Sequence, residues 1–171
     1  MEESDSQSRI VHAYFGELDS NRIRETFDAQ GVMWERDLDF NGHLIDTSLW
    51  VERGQALNKK LLDAFAALLQ NLASVDSQAR RHLVEYLNED DNFITCHMDL
   101  EIPGLAALAA DGEVSPDAFV KAMQLTDITL WTQAEPDHVV LDYRIDPEHS
   151  DEILAVKLTA QGELIAIDWE S

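Results

Sequence analysis

Lysine is scarce in this chain: four residues in 171, within a total of 12 Lys and Arg. Nothing longer than a basic pair occurs (Lys59-Lys60, Arg80-Arg81), so the phosphate-neutralising stripe that nucleic-acid binding requires is missing. Cysteine is scarcer still. A lone Cys96 excludes an internal disulfide and fits a reducing compartment. The opening Met1-Glu-Glu-Ser-Asp-Ser-Gln-Ser8 is acidic, unlike a signal peptide, and no apolar run approaches the ~20 residues that span a bilayer. These absences lead to the expectation of a cytoplasmic protein with no membrane and no nucleic-acid partner. Seven scattered Gly residues form no phosphate-cradling GxGxxG or GxxxxGK loop, and GxSxG, HExxH and His-x-His are all absent.

What is abundant is negative charge. Asp and Glu number 34, giving a formal net charge of −22. Such a surface repels itself and polyanions, and its natural complement is a basic protein steered in by charge. Solubility and adaptation to high salt are the competing meanings of the same acidity. Hydrophobic residues make up 45%, enough for a real core in a chain sized for one domain, with residues 1–8 as a frayed tail.

The final 47 residues read as an antiparallel meander of four runs: 125–132, 139–145, 153–159 and 164–169. Val139, Leu141, Tyr143 and Ile145 share one face of the second run while Val140, Asp142 and Arg144 share the other. Turn residues fill each gap, as in Glu135-Pro-Asp137 and Ala160-Gln-Gly162, and such short connections favour antiparallel neighbours. Near the other end, Asn41-Gly42 joins alternating runs 32–40 and 43–50, the strongest short-range signal for a hairpin. Between the two lies helical spacing. Leu57, Leu61, Ala64, Leu68 and Leu72 predict a helix over 55–74, broken by Ser74-Val-Asp76 before a second helix over 77–88. Residues 93–102 fit either strand alternation or a helix capped by the preceding acids. Ser115-Pro116 opens a short helix over 117–124. The expected fold class is α+β: an antiparallel sheet, made from the N-terminal hairpin and the C-terminal meander, packed against helices.

No constellation of side chains announces a catalytic residue, a metal site or a cofactor. Cys96-His97 is adjacency in sequence rather than a pair in space, and the six His residues occur singly. The candidates for contact with a partner are Trp50 and Trp131, as aromatic anchors for an arginine, together with Asp90 and Asp91. The closing stretch, with Asp142-Tyr143, the run Leu154 to Leu158, Gly162 and the terminal Glu170-Ser171, resembles a family of small acidic bacterial proteins of unknown function. That resemblance covers about the last 35 residues and implies an α+β protein, with no catalytic residue to carry over. The leading expectation is a non-enzymatic acidic protein that engages a basic partner, an immunity protein against a toxin nuclease being the concrete form. Its rivals are a structural homodimer, and an enzyme in which two or more of Asp90, Asp91, His97, Asp99 and Asp127 converge in a cleft.

Overall fold

The computed structural model describes residues 7–27 and 29–171. Its frame is a seven-stranded sheet whose strands lie side by side in chain order, beside a small two-stranded sheet of β1 (Arg9–His12) and β2 (Gly16–Asp19). Strands β3 (Arg24–Phe27), β4 (Gln30–Phe40) and β5 (His43–Glu52) form one half. Strands β6 (Gln124–Trp131), β7 (Val139–Arg144), β8 (Ile153–Leu158) and β9 (Leu164–Glu170) form the other, and they are the meander read from the sequence. The expected hairpin is β4–β5, with Asn41 and Gly42 at φ 54° and 82°, as its turn demands. The class is α+β.

The sheet is mixed rather than antiparallel. The two halves join through β5 and β6, which run parallel with Asp46 opposite Asp127 and Trp50 opposite Trp131. The physical reason is the connection between them. Parallel neighbours need a long crossover, and residues 53–123 supply it with α1 (Lys59–Gln70), α2 (Leu72–Glu89), α3 (Asn92–Asp99), a short 3-10 turn (Ala106–Leu108) and α4 (Pro116–Ala122).

Period-2 alternation sorts the strands into a core face and an open face. Ile45, Leu49 and Val51 of β5, Ile128 and Leu130 of β6, Leu141 and Tyr143 of β7, and Leu154 and Val156 of β8 are all buried. They form one cluster with Leu62 and Phe65 of α1, Leu83 and Leu87 of α2, Phe93 of α3 and Phe119 of α4. Each such large apolar side chain contributes roughly 1.5–3 kcal/mol by leaving water, which explains why every helix lies on the same side.

The helix boundaries shift for identifiable reasons. The first helix starts at Lys59, where the Asn58 side chain caps Leu61 N–H at 3.2 Å. Gln55, expected inside it, instead accepts hydrogen bonds from Glu52 N–H and the Thr132 hydroxyl. The break falls at Asn71, and α2 runs straight through Ser74-Val-Asp76. Asp76 is no cap: it is buried, gripped by Arg80 Nε at 3.1 and 3.0 Å, and accepts the Tyr143 hydroxyl at 2.7 Å. Residues 92–99 are helix, and the buried set Phe93, Ile94 and His97 has helical spacing, while Leu100 is left exposed. Residues 1–6 lie outside the described residues. Gln7 and Ser8, expected in a frayed tail, are tied by their carbonyls to Leu57 N–H and Ser20 N–H. No described helix is long and apolar enough to cross a membrane.

Candidate functional site

The open face of the sheet carries the most unusual arrangement in the molecule. Register places Asp37 of β4 opposite Asp46 of β5, Asp46 opposite Asp127 of β6, and Asp127 opposite Asp142 of β7. Asp142 faces Ala155 of β8, and Ala155 faces Asp168 of β9. One transverse row across six strands is therefore Asp-Asp-Asp-Asp-Ala-Asp. Neighbouring strands lie about 4.8 Å apart, and like charges directly opposite one another are destabilising. The adjacent row, Glu35, Ser48, Thr129, Val140, Lys157 and Ala166, is mostly small or uncharged.

Electrostatics registers the crowding. Burial first, then Asp127 and Glu170, push the Asp142 carboxyl up to about 6, against the weaker opposing pull of Arg144 and Lys157. Asp46 is raised for the same reasons: burial first, then Asp127, Glu35 and Asp37. Cations stand around the row without neutralising its centre. Arg24 makes a two-pronged pair with Glu35 at 2.7 and 3.1 Å. Lys157 Nζ lies 2.7 Å from Asp168 and 3.4 Å from Glu170, and its hydrogen bond to Asp168 is foremost in holding its pKa above the ordinary value. Arg144 reaches Asp127 only at 3.9 Å, and its Nε is buried without a hydrogen-bond acceptor. The Asp142 carboxylate has no ion pair or hydrogen bond among the described residues.

Two of the four partner-contact candidates lie on this face. Trp50 and Trp131 pack on each other with ring centroids 5.0 Å apart and 34° between planes, both half-buried, at one end of β5 and β6. Trp50 Nε1 donates to Ser48 Oγ at 3.0 Å. Parallel pairing of β5 with β6 is what brings them together, and that pairing had no signal in sequence. Asp90 and Asp91 lie elsewhere, at the junction of α2 and α3 in the helical layer.

There, Asp90, Asp91 and Asp99 line a depression of about 860 Å³ with Glu89 and Glu113. His97 is turned away into the core: its Nδ1 is 2.7 Å from the Phe93 carbonyl, to which it donates, and its Nε2 is 2.8 Å from Ser150 Oγ. Asp127 belongs to the sheet face. An enzyme was expected to bring two or more of five residues together in a cleft: Asp90, Asp91 and Asp99 do share this depression, and His97 and Asp127 do not. Two other histidines are similarly held. His12 Nδ1 accepts the Tyr14 and Phe15 N–H groups while Nε2 donates to Asp63, and His138 Nδ1 donates to the Trp131 carbonyl at 2.6 Å. A cation could find ligands at Asp146, Glu148 and His149, whose donor atoms all lie within 4.8 Å of one another in the β7–β8 loop. Asp146 there already accepts Glu148 N–H, and His149 Nδ1 lies 3.0 Å from its other oxygen.

No family model, curated protein or solved structure matches this chain.

Proposed function

We propose that the protein is a non-enzymatic binding module whose open sheet face takes up a basic protein partner. The observation that carries this reading is the transverse row Asp37-Asp46-Asp127-Asp142-Ala155-Asp168, in which Asp142 is half-buried and no cation among the described residues is paired to it. Carboxylates held on adjacent strands of a rigid sheet repel one another in the free protein. An arginine or lysine laid across them replaces that repulsion with attraction, and little conformational freedom is lost because the strands are already fixed. The Trp50–Trp131 pair at the end of the face offers an aromatic surface on which a guanidinium can stack. The basic surface of a toxin nuclease has the chemistry this face complements, which keeps an immunity protein as its concrete form.

Titration with deca-arginine over a salt series tests the reading. Asp46→Asn, Asp127→Asn and Asp142→Asn together should weaken binding ten-fold or more and flatten its salt dependence. A charge-matched control, Glu89→Gln, Asp90→Asn and Asp91→Asn, should leave it within about two-fold. Equal losses in the two variants would mean that net charge alone attracts the peptide. A larger loss in the control would move the site to the depression beside α3.

A further inference from the structure

We infer that the partner docks on this protein by adding an extended strand to the free edge of β9, and that this strand alternates basic with apolar residues. The inference rests on the binding role proposed above and specifies its geometry. Strand β9 ends the seven-stranded sheet, and no described residue pairs with its outer edge. Protective devices common on edge strands are lysine, proline, bulges and very short length. Leu164-Ile-Ala-Ile-Asp-Trp-Glu170 contains neither Lys nor Pro and runs for seven residues; its one register shift leaves Ile165 unpaired near the start, and from Ala166 to Glu170 the register is regular. The opposite edge differs. Strand β3 has only four residues, against seven in β9.

The two faces of β9 state what an added strand would carry. Asp168 and Glu170 point to the open face, where they continue the row of carboxylates. Ile167 and Trp169, opposite Val156 and Leu154, point to the helical side, with Trp169 39% exposed; Ile165, unpaired at the register shift, is 43% exposed. Trp169 is held in place, its Nε1 donating to Glu152 at 2.6 Å and its ring set edge-on to Phe93 at 5.1 Å. A strand laid along β9 would place every second side chain beside Asp168 and Glu170, and those between beside Ile167 and Trp169. Basic residues suit the first set and apolar ones the second. A second copy of this chain suits the edge poorly, because it would bring another Asp168 and Glu170 to the same line.

The test uses a nine-residue peptide of alternating arginine and valine, and the same peptide N-methylated at alternate backbone amides. The unmodified peptide should bind at least ten-fold more tightly than the methylated one. It should also slow amide hydrogen exchange in residues 164–170 and leave β3 unchanged, and Ile165→Lys should abolish the difference between the peptides. Equal binding of both peptides, with no protection at β9, would overturn strand addition while the acidic face stood as a binding surface. Failure of both to bind, together with failure of deca-arginine, would remove the face as well. Protection at β9 that grows with protein concentration in the absence of peptide would assign the edge to a second copy and overturn the inference.

Discussion

Asp76→Ala should cost about 3–5 kcal/mol of stability, measured by urea denaturation at neutral pH. The size follows from what Asp76 joins. Its carboxylate takes both Arg80 Nε contacts and the Tyr143 hydroxyl, and Arg80 Nη1 reaches on to the carbonyls of Val120 and Met123 at 2.6 and 3.0 Å. One buried carboxylate thereby fastens α2 to the end of α4 and to the middle of the sheet. Removing it strands the guanidinium over the Tyr143 ring, 5.2 Å from the centroid, with no anion to answer it. Tyr143→Phe deletes a single donor and should cost about 1–3 kcal/mol. The two losses should fall short of additive in the double variant, because the groups share a bond. A loss under about 1 kcal/mol in Asp76→Ala would show that the network holds nothing together.

The second large effect has the opposite sign. Asp142→Asn should stabilise the protein at pH 8 by about 3 kcal/mol and change little at pH 4. In the folded chain the Asp142 carboxyl titrates at about 6, against an ordinary value of 3.8. Between those values the folded state holds a proton that the unfolded state has released, so stability falls as pH rises. The contribution is fully present below pH 3.8 and is lost as pH climbs through 6. Asparagine imitates the protonated acid at every pH and removes the dependence. Urea midpoints across pH 4–8 check it. A variant less stable than the parent at pH 8 would mean that Asp142 is paired rather than opposed. The same linkage makes a basic ligand release a proton when it binds near pH 6, since its charge draws the carboxyl back down.

Much of the scaffold was legible because local rules governed it. Alternation located β6 to β9, and Asn41-Gly42 fixed β4–β5, since only residues at ease with positive φ close that turn. Where tertiary partners overrode local preference, the reading slipped. Asp76 looks like a cap in sequence and acts as an anchor in the fold. Gln55 has the flanking pattern of a helix and spends its side chain on Glu52 and Thr132. Residues 93–102 are open in sequence between a strand, by alternation through Ile94, Cys96 and Met98, and a capped helix; the requirement to bury Phe93, Ile94 and His97 together made 92–99 helix.

The binding face was hidden for a different reason. Asp46, Asp127 and Asp142 are separated by 81 and 15 positions, and among 34 acids no spacing singles them out. Their juxtaposition follows from the parallel pairing of β5 with β6, a long-range contact made across more than 70 residues of helical crossover. Trp50 and Trp131 were legible as aromatic anchors, but their stacking has the same unseen cause. Asp90 and Asp91, the most conspicuous acids in sequence, sit in the helical layer.

The measurement that tests the acidic face most directly is a titration of isotope-labelled protein with deca-arginine, followed by amide chemical shifts. The largest changes should fall at Asp37, Asp46, Asp127, Asp142 and Asp168 and at the Trp50 and Trp131 indoles, fading as salt is raised. Changes centred on residues 89–99, or spread evenly over every exposed acid, would contradict the claim that this sheet face is the binding surface.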